Sequence, residues 1–324
     1  MKKTNKCVAL VLAVITIFSA FSIVPITASA EEVTTTTATK VKIIDSGECG
    51  KKAKWKIDSN GLLTVYGKGT VEYDKKLAGY IEGKIKEVKV LDGITKLPYH
   101  MFSDSFNLKK ATIADSVKSL GELIFGYCGN LKTVTIGNGV TKLPYGAFAD
   151  CSSLKSVTLG TGLKSLPTNT FVGCEKVNSI TIPKKNKNLC TVDSVIYSKN
   201  KKILIYYPQG KKKTTYSVLK GTKTIEKFAF AYSENLKKVN IPTTVNTIKS
   251  KAFIHCKNLK KLTIPSSVKT IGSKAYGYQY KYYAGTFGDE TIIIKTKGCT
   301  IYGKKGSTAN KYSTSNKIKF VKTK

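Results

Sequence analysis

One phrase recurs at a fixed step through the middle of the chain. Residues 108–176 read LKKATIADSVKSLGELIFGYCGN, LKTVTIGNGVTKLPYGAFADCSS and LKSVTLGTGLKSLPTNTFVGCEK. Leu108, Leu131 and Leu154 keep the same spacing as Phe125, Phe148 and Phe171, and as Cys128, Cys151 and Cys174. A repeat of this length is one supersecondary unit. It is too small to bury its apolar face alone, so successive units must stack. Within each unit L-x-x-V-x-I alternates, which predicts a strand with Leu131, Val134 and Ile136 inward and Lys132, Thr133 and Thr135 outward. The A-F-x-x-C phrase then predicts a short helical turn on the far side. Stacking at about 4.8 Å per coil predicts one sheet over one continuous core, with no closed pocket.

The phrase extends in both directions. Eight coils are expected over residues 85–281, with an insert near 193–212. In the insert, Val195–Tyr197 and Ile203–Tyr207 flank a polar turn and read as a β-hairpin. Solenoid ends need covers. Residues 43–84 supply one, in which Trp55, Ile57, Leu63 and Val65 alternate around Asn60-Gly61, a hairpin signature. Residues 282–324 supply the other, read as strand, short helix and strand, with Ser307 as the helix cap.

Residues 1–30 carry Lys2, Lys3 and Lys6, an apolar run and an Ala28-Ser29-Ala30 exit, the pattern of a secretory signal peptide. Residues 31–42 are a Thr-rich lead-in of the kind that is disordered. No later stretch reaches the ~20 apolar residues that a membrane span needs. The last residues, Ile318 to Lys324, show neither a sorting motif nor a hydrophobic tail. The expectation is a secreted protein, or one held non-covalently at the cell surface.

Charge narrows the range of partners. All 55 basic residues are lysine, against 20 acids, for a net +35; without the three leader lysines it is +32. Such a balance favours anionic partners. The absence of Arg argues against sequence-specific nucleic-acid reading, because bidentate contact with guanine is chiefly an Arg task. Of eight cysteines, one lies in the leader. The remaining odd number excludes a fully paired disulfide framework, and no C-x-x-C zinc spacing occurs. Cys128, Cys151, Cys174 and Cys256 share one repeat position and read as small packed residues.

The repeat phrase, the VIYSKNKKILIYYPQGKK insert and the TIYGKKGSTANKYSTSNKIKF ending together resemble the BspA-like class of bacterial leucine-rich repeats. The GECG…W…DSNGLLTVYGKG opening is similar to the leader that often precedes such repeats. The resemblance covers about residues 44–324. It implies a β-rich leucine-rich repeat solenoid, exported or surface-held, with a part in adhesion or in contact with host and matrix. It implies no shared catalytic residues.

The residues themselves give no enzyme. His100 and His255 are the only histidines; they flank repeat phenylalanines on opposite sides and read as surface or turn residues. Neither provides a base for a Ser or Cys nucleophile with an orienting acid. No cofactor or metal is expected. What recurs is surface. One outward row holds Lys109, Lys132, Lys155, Lys237 and Lys260, and its neighbour holds Thr112, Thr135 and Thr158. These rows suit an extracellular protein, glycan or anionic envelope polymer, or else serve only as solubilising surface. A second candidate is a loop of tyrosines, Tyr278, Tyr280, Tyr282 and Tyr283, which offers either rigid contact area or packing for the cap. The reading is a secreted binding or adhesion module; the alternative is a wall-associated structural protein held by charge.

Overall fold

The computed structural model describes residues 41–81, 83–283 and 290–323. The signal peptide expected at 1–30, and all but the last two residues of the lead-in, lie outside them. The chain opens with three antiparallel strands, Ile43–Glu48, Ala53–Asp58 and Leu62–Gly67. Trp55 is fully buried at their centre. A helix that the pattern did not announce, Lys75–Ile81, folds over them. From it Lys76 lies 5.6 Å over the Trp55 ring, and the Tyr80 ring stands 5.7 Å away.

The third of these strands then pairs in parallel with Glu87–Val90, the first coil strand. Lys110–Ile113, Thr133–Ile136, Ser156–Thr158 and Ser179–Thr181 follow, each in parallel register 23 residues on. The register puts Ala111, Val134, Val157 and Ile180 in one buried row. It puts Thr112, Thr135, Thr158 and Thr181 in one outward row.

The far side of each coil is a turn rather than the expected helical turn. Two residues after each repeat Phe, the backbone is left-handed: Tyr127 at φ 61°, Asp150 at 55°, Gly173 at 71°, Tyr232 at 59°, His255 at 59°. This reversal aims the next side chain inward, where Cys128, Cys151, Cys174 and Cys256 sit fully or nearly buried. Their thiols donate to the Phe carbonyls of the preceding coil, Phe102, Phe125, Phe148 and Phe230, at 2.9–3.0 Å. The rings of those phenylalanines stack: Phe102 on Phe125 at 5.4 Å, Phe125 on Phe148 at 5.9 Å, Phe148 on Phe171 at 5.5 Å. Each such pair is worth about 0.5–1.5 kcal/mol beyond its buried area.

The insert holds the hairpin that its sequence suggests, Val195–Ser198 on Ile203–Tyr206, and adds to it a further strand, Leu189–Val192, paired with Val195–Ser198. Asn186, fully buried, starts it: its amide donates to Gly160 O and Leu163 O and accepts from the backbones of Asn188 and Leu189. These three strands continue in parallel into Thr224–Ile225, Thr247–Ile248 and Thr270–Ile271 on the turn side. The insert is a partition, not an ornament. Ile196 and Tyr206 join the core of the earlier coils, whereas Val195, Tyr197, Leu204 and Tyr207 join the core of the later ones. Alternate side chains of a strand point opposite ways, which separates Val195 and Tyr197 from Ile196; Tyr206 departs from that alternation, since Leu204 two residues before it joins the later core.

The expected single core is therefore two. The expected single sheet is also broken. Thr215–Ser217 pairs with Lys238–Asn240 alone, and Lys261–Thr263 pairs with Thr300–Gly303 and, through it, Lys319–Lys322. Ser307 caps the helix Thr308–Ser315 between those last two strands, accepting from Asn310 N at 3.4 Å. Tyr312 Oη donates to Tyr276 O at 3.0 Å, and Tyr276 Oη donates to Leu259 O at 2.8 Å.

Two outcomes are expected from this packing. Removing residues 299–324 strips the strand covering Lys261–Thr263 and bares Leu262 and Ile264, so the melting temperature should fall or the protein aggregate; an unchanged melting curve would count against a capping role. The seven described cysteines are unpaired, and burial pushes Cys256 up to about 12. The hydrogen bond to the Cys151 thiol and then burial push Cys128 up as well. Mass spectrometry after alkylation without reductant should find Cys128, Cys151 and Cys174 modified only once the chain is unfolded. A disulfide-linked peptide joining two of them would contradict this.

Candidate ligand-binding face

The lysine row is built by the backbone. Lys109, Lys132 and Lys155 sit one residue ahead of the coil strands, all exposed. Lys109 N donates to Lys86 O at 2.8 Å, Lys132 N to Lys109 O at 2.8 Å, and Lys155 N to Lys132 O at 2.9 Å. The spacing of the side-chain bases is thus set by the coil rise. Neighbouring charges at this distance repel by about 1 kcal/mol in water before screening. Among the described residues Lys109, Lys132, Lys155 and Lys237 have no ion-pair partner. The acid that this face does carry, Glu87, is engaged by Lys110 at 3.1 Å and Lys89 at 3.8 Å. Beside the lysines run the hydroxyls of Thr112, Thr135 and Thr158.

The row is not continuous. The insert separates Asn178 from Thr214. A second interruption falls between Lys237 and Lys260: Lys237 N donates to Thr214 O, but Lys260 N turns to Asn258 O at 3.0 Å. Among the described residues no ladder joins Lys238–Asn240 to Lys261–Thr263. The strands splay there around a cleft of about 640 Å³. Its charged and polar wall is Lys237, Lys238, Lys261, Asn240, Thr263 and Tyr302, over Val239 and Ile241. Lys260 stands outside it and donates to Lys297 O at 3.0 Å.

Lys238, Lys261 and Tyr302 were not distinguished by the repeat pattern. Pro265 occupies the place where Ala114 donates to Val90 O at 3.1 Å and removes that rung across the cleft, but Pro183 and Pro242 hold the same place beside intact ladders, so proline by itself does not mark the lapse.

The tyrosines are not on a loop. Tyr278–Tyr283 is a strand paired antiparallel with Glu290–Lys295, crossing the expected solenoid–cap boundary at 281/282. The period-2 tyrosines facing TIIIKT were the sign of it. Tyr282 and Tyr283 pair through the backbone with Thr291 and Glu290. Tyr278 Oη donates to Asn316 Oδ1 at 2.8 Å, and the Tyr280 ring stacks on Tyr232 at 5.7 Å. Tyr280 N donates to Nδ1 of His255 at 3.0 Å.

His255 is thus not a surface residue: it is 4% exposed, because its left-handed turn tucks the ring under this strand. Its Nδ1 accepts, so its Nε2 carries the hydrogen and faces Glu234 at 3.3 Å. His100 hydrogen-bonds Ser103 Oγ at 3.1 Å in another row, and the two histidines do not meet. Among the described residues no cluster of His, Cys, Asp or Glu could hold a metal ion. No helix there is long and apolar enough to cross a membrane.

Stacked parallel strands at a 23-residue step, with turns on the far side and Leu at the strand entrance, define a leucine-rich repeat solenoid. The model for the BspA type leucine-rich repeat region matches residues 79–204 and 206–297, and the chain belongs to that family. Among solved structures it is similar to a leucine-rich repeat protein from Eubacterium ventriosum, with 26% identity, 70% of this chain and 68% of that one covered, and a TM-score of 0.56. It is also similar to the pneumococcal vaccine antigen PcpA, at 16% identity over 87% and 100% of the two chains, TM-score 0.46. A leucine-rich cell surface protein from Faecalibacterium prausnitzii matches at 18% identity over 86% and 96%, TM-score 0.42. No curated protein matches the chain.

His255 makes the stability of this region depend on pH. Burial holds its pKa below 6.5, with Lys257 adding to the effect and Glu234 opposing it. The Tyr232 and Tyr280 rings complete its surroundings. A base whose folded value is lowered binds fewer protons folded than unfolded, so its contribution is complete above 6.5 and is lost as the pH falls toward the folded value. The melting temperature should drop on acidification from pH 7 to about 5, and His255→Gln should reduce that drop. Equal drops in both proteins would exclude His255 as the source.

Proposed function

We propose that the protein is an exported, non-catalytic binding module that holds anionic polymers of the cell envelope or extracellular matrix on its strand face. The observation that carries this reading is the cleft between Lys238–Asn240 and Lys261–Thr263. There three lysines, an amide, a hydroxyl and a phenol converge where the sheet's own hydrogen bonds lapse. The regular row of Lys109, Lys132 and Lys155 extends the same chemistry along the earlier coils, with Thr112, Thr135 and Thr158 as hydroxyl partners for a linear chain. A polyanion lying along such a row relieves the repulsion between stacked lysines and releases its own counterions. The expected secretory leader and the charge of +32 without it support placement outside the cell. The strand of Tyr278 and Tyr280 belongs in this reading to the packing of the cap, through Asn316 and Tyr232.

The test uses a sulfated glycosaminoglycan and a poly(glycerol phosphate) as probes. Lys109, Lys132, Lys155, Lys237 and Lys261 are changed to Gln in one variant, Lys261 replacing Lys260 because the latter lies outside the cleft. In a control of equal charge Lys142, Lys164, Lys185, Lys220 and Lys305 are changed to Gln. Affinity should fall steeply with salt for the unaltered protein, and the strand-face variant should lose at least about tenfold more than the control. Equal losses would mean that net charge alone acts, which is the behaviour of a structural protein held at the wall by charge.

A further inference from the structure

The turns on the far side of the solenoid are tied coil to coil by their own ladder. Phe125 N donates to Ala147 O, Tyr127 N to Ala149 O, Phe148 N to Thr170 O and Asp150 N to Val172 O, at 2.8–3.3 Å. The later coils repeat it, with Phe230 N on Ala252 O and Tyr232 N on Ile254 O. One rung is missing. No backbone hydrogen bond runs from the turn at 168–173 to the turn at 228–232, because the insert takes the place of the turn between them. Among the described residues the hydrogen bonds across the gap are Tyr207 N on Ala229 O at 2.7 Å and the Gln209 amide on Phe171 O at 3.1 Å.

What remains is a cavity of about 170 Å³. Phe171, Phe228, Tyr232 and Tyr280 supply aromatic walls, and Thr168 and Asn169 stand at its edge. Tyr206 and Gln209 also line it, 8% and 6% exposed. Tyr206 Oη lies against the backbone N–H and side-chain amide of Gln209, yet neither it nor Gln209 Oε1 completes a hydrogen bond of normal length and angle. Leaving such groups unpaired is destabilising. Among the described residues no charged side chain lines the cavity, in a chain with 55 basic and 20 acidic residues.

We infer that this cavity is a binding site for one neutral pyranose ring of a glycan, distinct from the lysine face. The volume is below that of pockets for drug-sized ligands and suits a single ring with its substituents. A charged group finds no counter-charge there. An apolar side chain would leave Tyr206 Oη and Gln209 Oε1 as unpaired as they are now. A ring with hydroxyl groups on its edge and C–H groups on its faces meets both needs: O–H donors for Gln209 Oε1, a donor–acceptor partner for Tyr206 Oη, and aromatic cover for the faces.

The test is saturation-transfer NMR on the full chain with glucose, galactose, mannose and N-acetylglucosamine as probes. At least one sugar should receive saturation, and the signal should persist at salt concentrations that screen charge. Tyr206→Phe removes a hydroxyl that completes no hydrogen bond of normal length and angle in the protein. It should leave the melting temperature unchanged or raised, while weakening the sugar about tenfold. Ala231→Leu grows into the cavity and should abolish the signal. The inference is overturned if no sugar in the panel receives saturation, if both variants bind as the unaltered protein does, or if Tyr206→Phe lowers the melting temperature, which would reveal a partner for that hydroxyl within the fold.

Discussion

Each coil is held by its neighbour through three parallel ladders, and every other feature of the molecule depends on that contact. The strand ladder ties Thr112 to Thr135 to Thr158 by backbone. The Phe stack fills the interior with rings at 5.4–5.9 Å. The cysteine thiols cross to the Phe carbonyl of the coil before. A single coil has none of these, so stability is a sum of nearest-neighbour terms and the ends must be closed. The thiol serves here as a small donor in a dry place. Ser105 and Ser233 take the same seat, but Ser233 Oγ finds no partner there, so a compact side chain matters more at this position than the hydrogen bond it can make.

A structure made of nearest-neighbour contacts shows its specific features where the contact changes. The solenoid does so at three places. At the insert, a coil lengthened by thirteen residues loses its outer turn and carries a two-faced sheet instead; the aromatic stack passes from Phe171 to Tyr206 at 5.1 Å on one side, and from Tyr207 to Phe230 at 5.3 Å on the other. Between Lys238–Asn240 and Lys261–Thr263 the strand ladder lapses. Near the C-terminal end, Tyr278–Tyr283 leaves the coil path and is held down by His255. Regular coils bury their polar groups in ladders. The interruptions leave polar and charged groups without such partners, and those are the places where a ligand has something to satisfy.

The charge acts on a different scale. Lysines spaced by the coil rise add a field along the face rather than a shaped site. The cleft adds shape to that field, since Lys237, Lys238 and Lys261 there surround Asn240, Thr263 and Tyr302. Among the described residues the turn-side cavity has no charged lining. On the proposed readings the two surfaces select by different physics, one sensitive to salt and the other not.

The sequence by itself determined the coil. A 23-residue step, an L-x-x-V-x-I strand and a buried Cys are local statements repeated many times, and repetition makes a local pattern legible. Ser307 as a cap and the inward set of Leu131, Val134 and Ile136 were equally readable, because caps and alternation are short-range rules. Tertiary structure alone decided what happens between coils that differ. Whether Ile196 and Val195 share a core, whether Lys260 faces Lys237 across a ladder or turns away from it, and where the Tyr206 hydroxyl ends up all depend on contacts 20 to 40 residues apart. No periodicity encodes them. The buried His255 belongs to the same category: it is placed by the tyrosine strand packed over it, and the residues beside it in sequence do not say so.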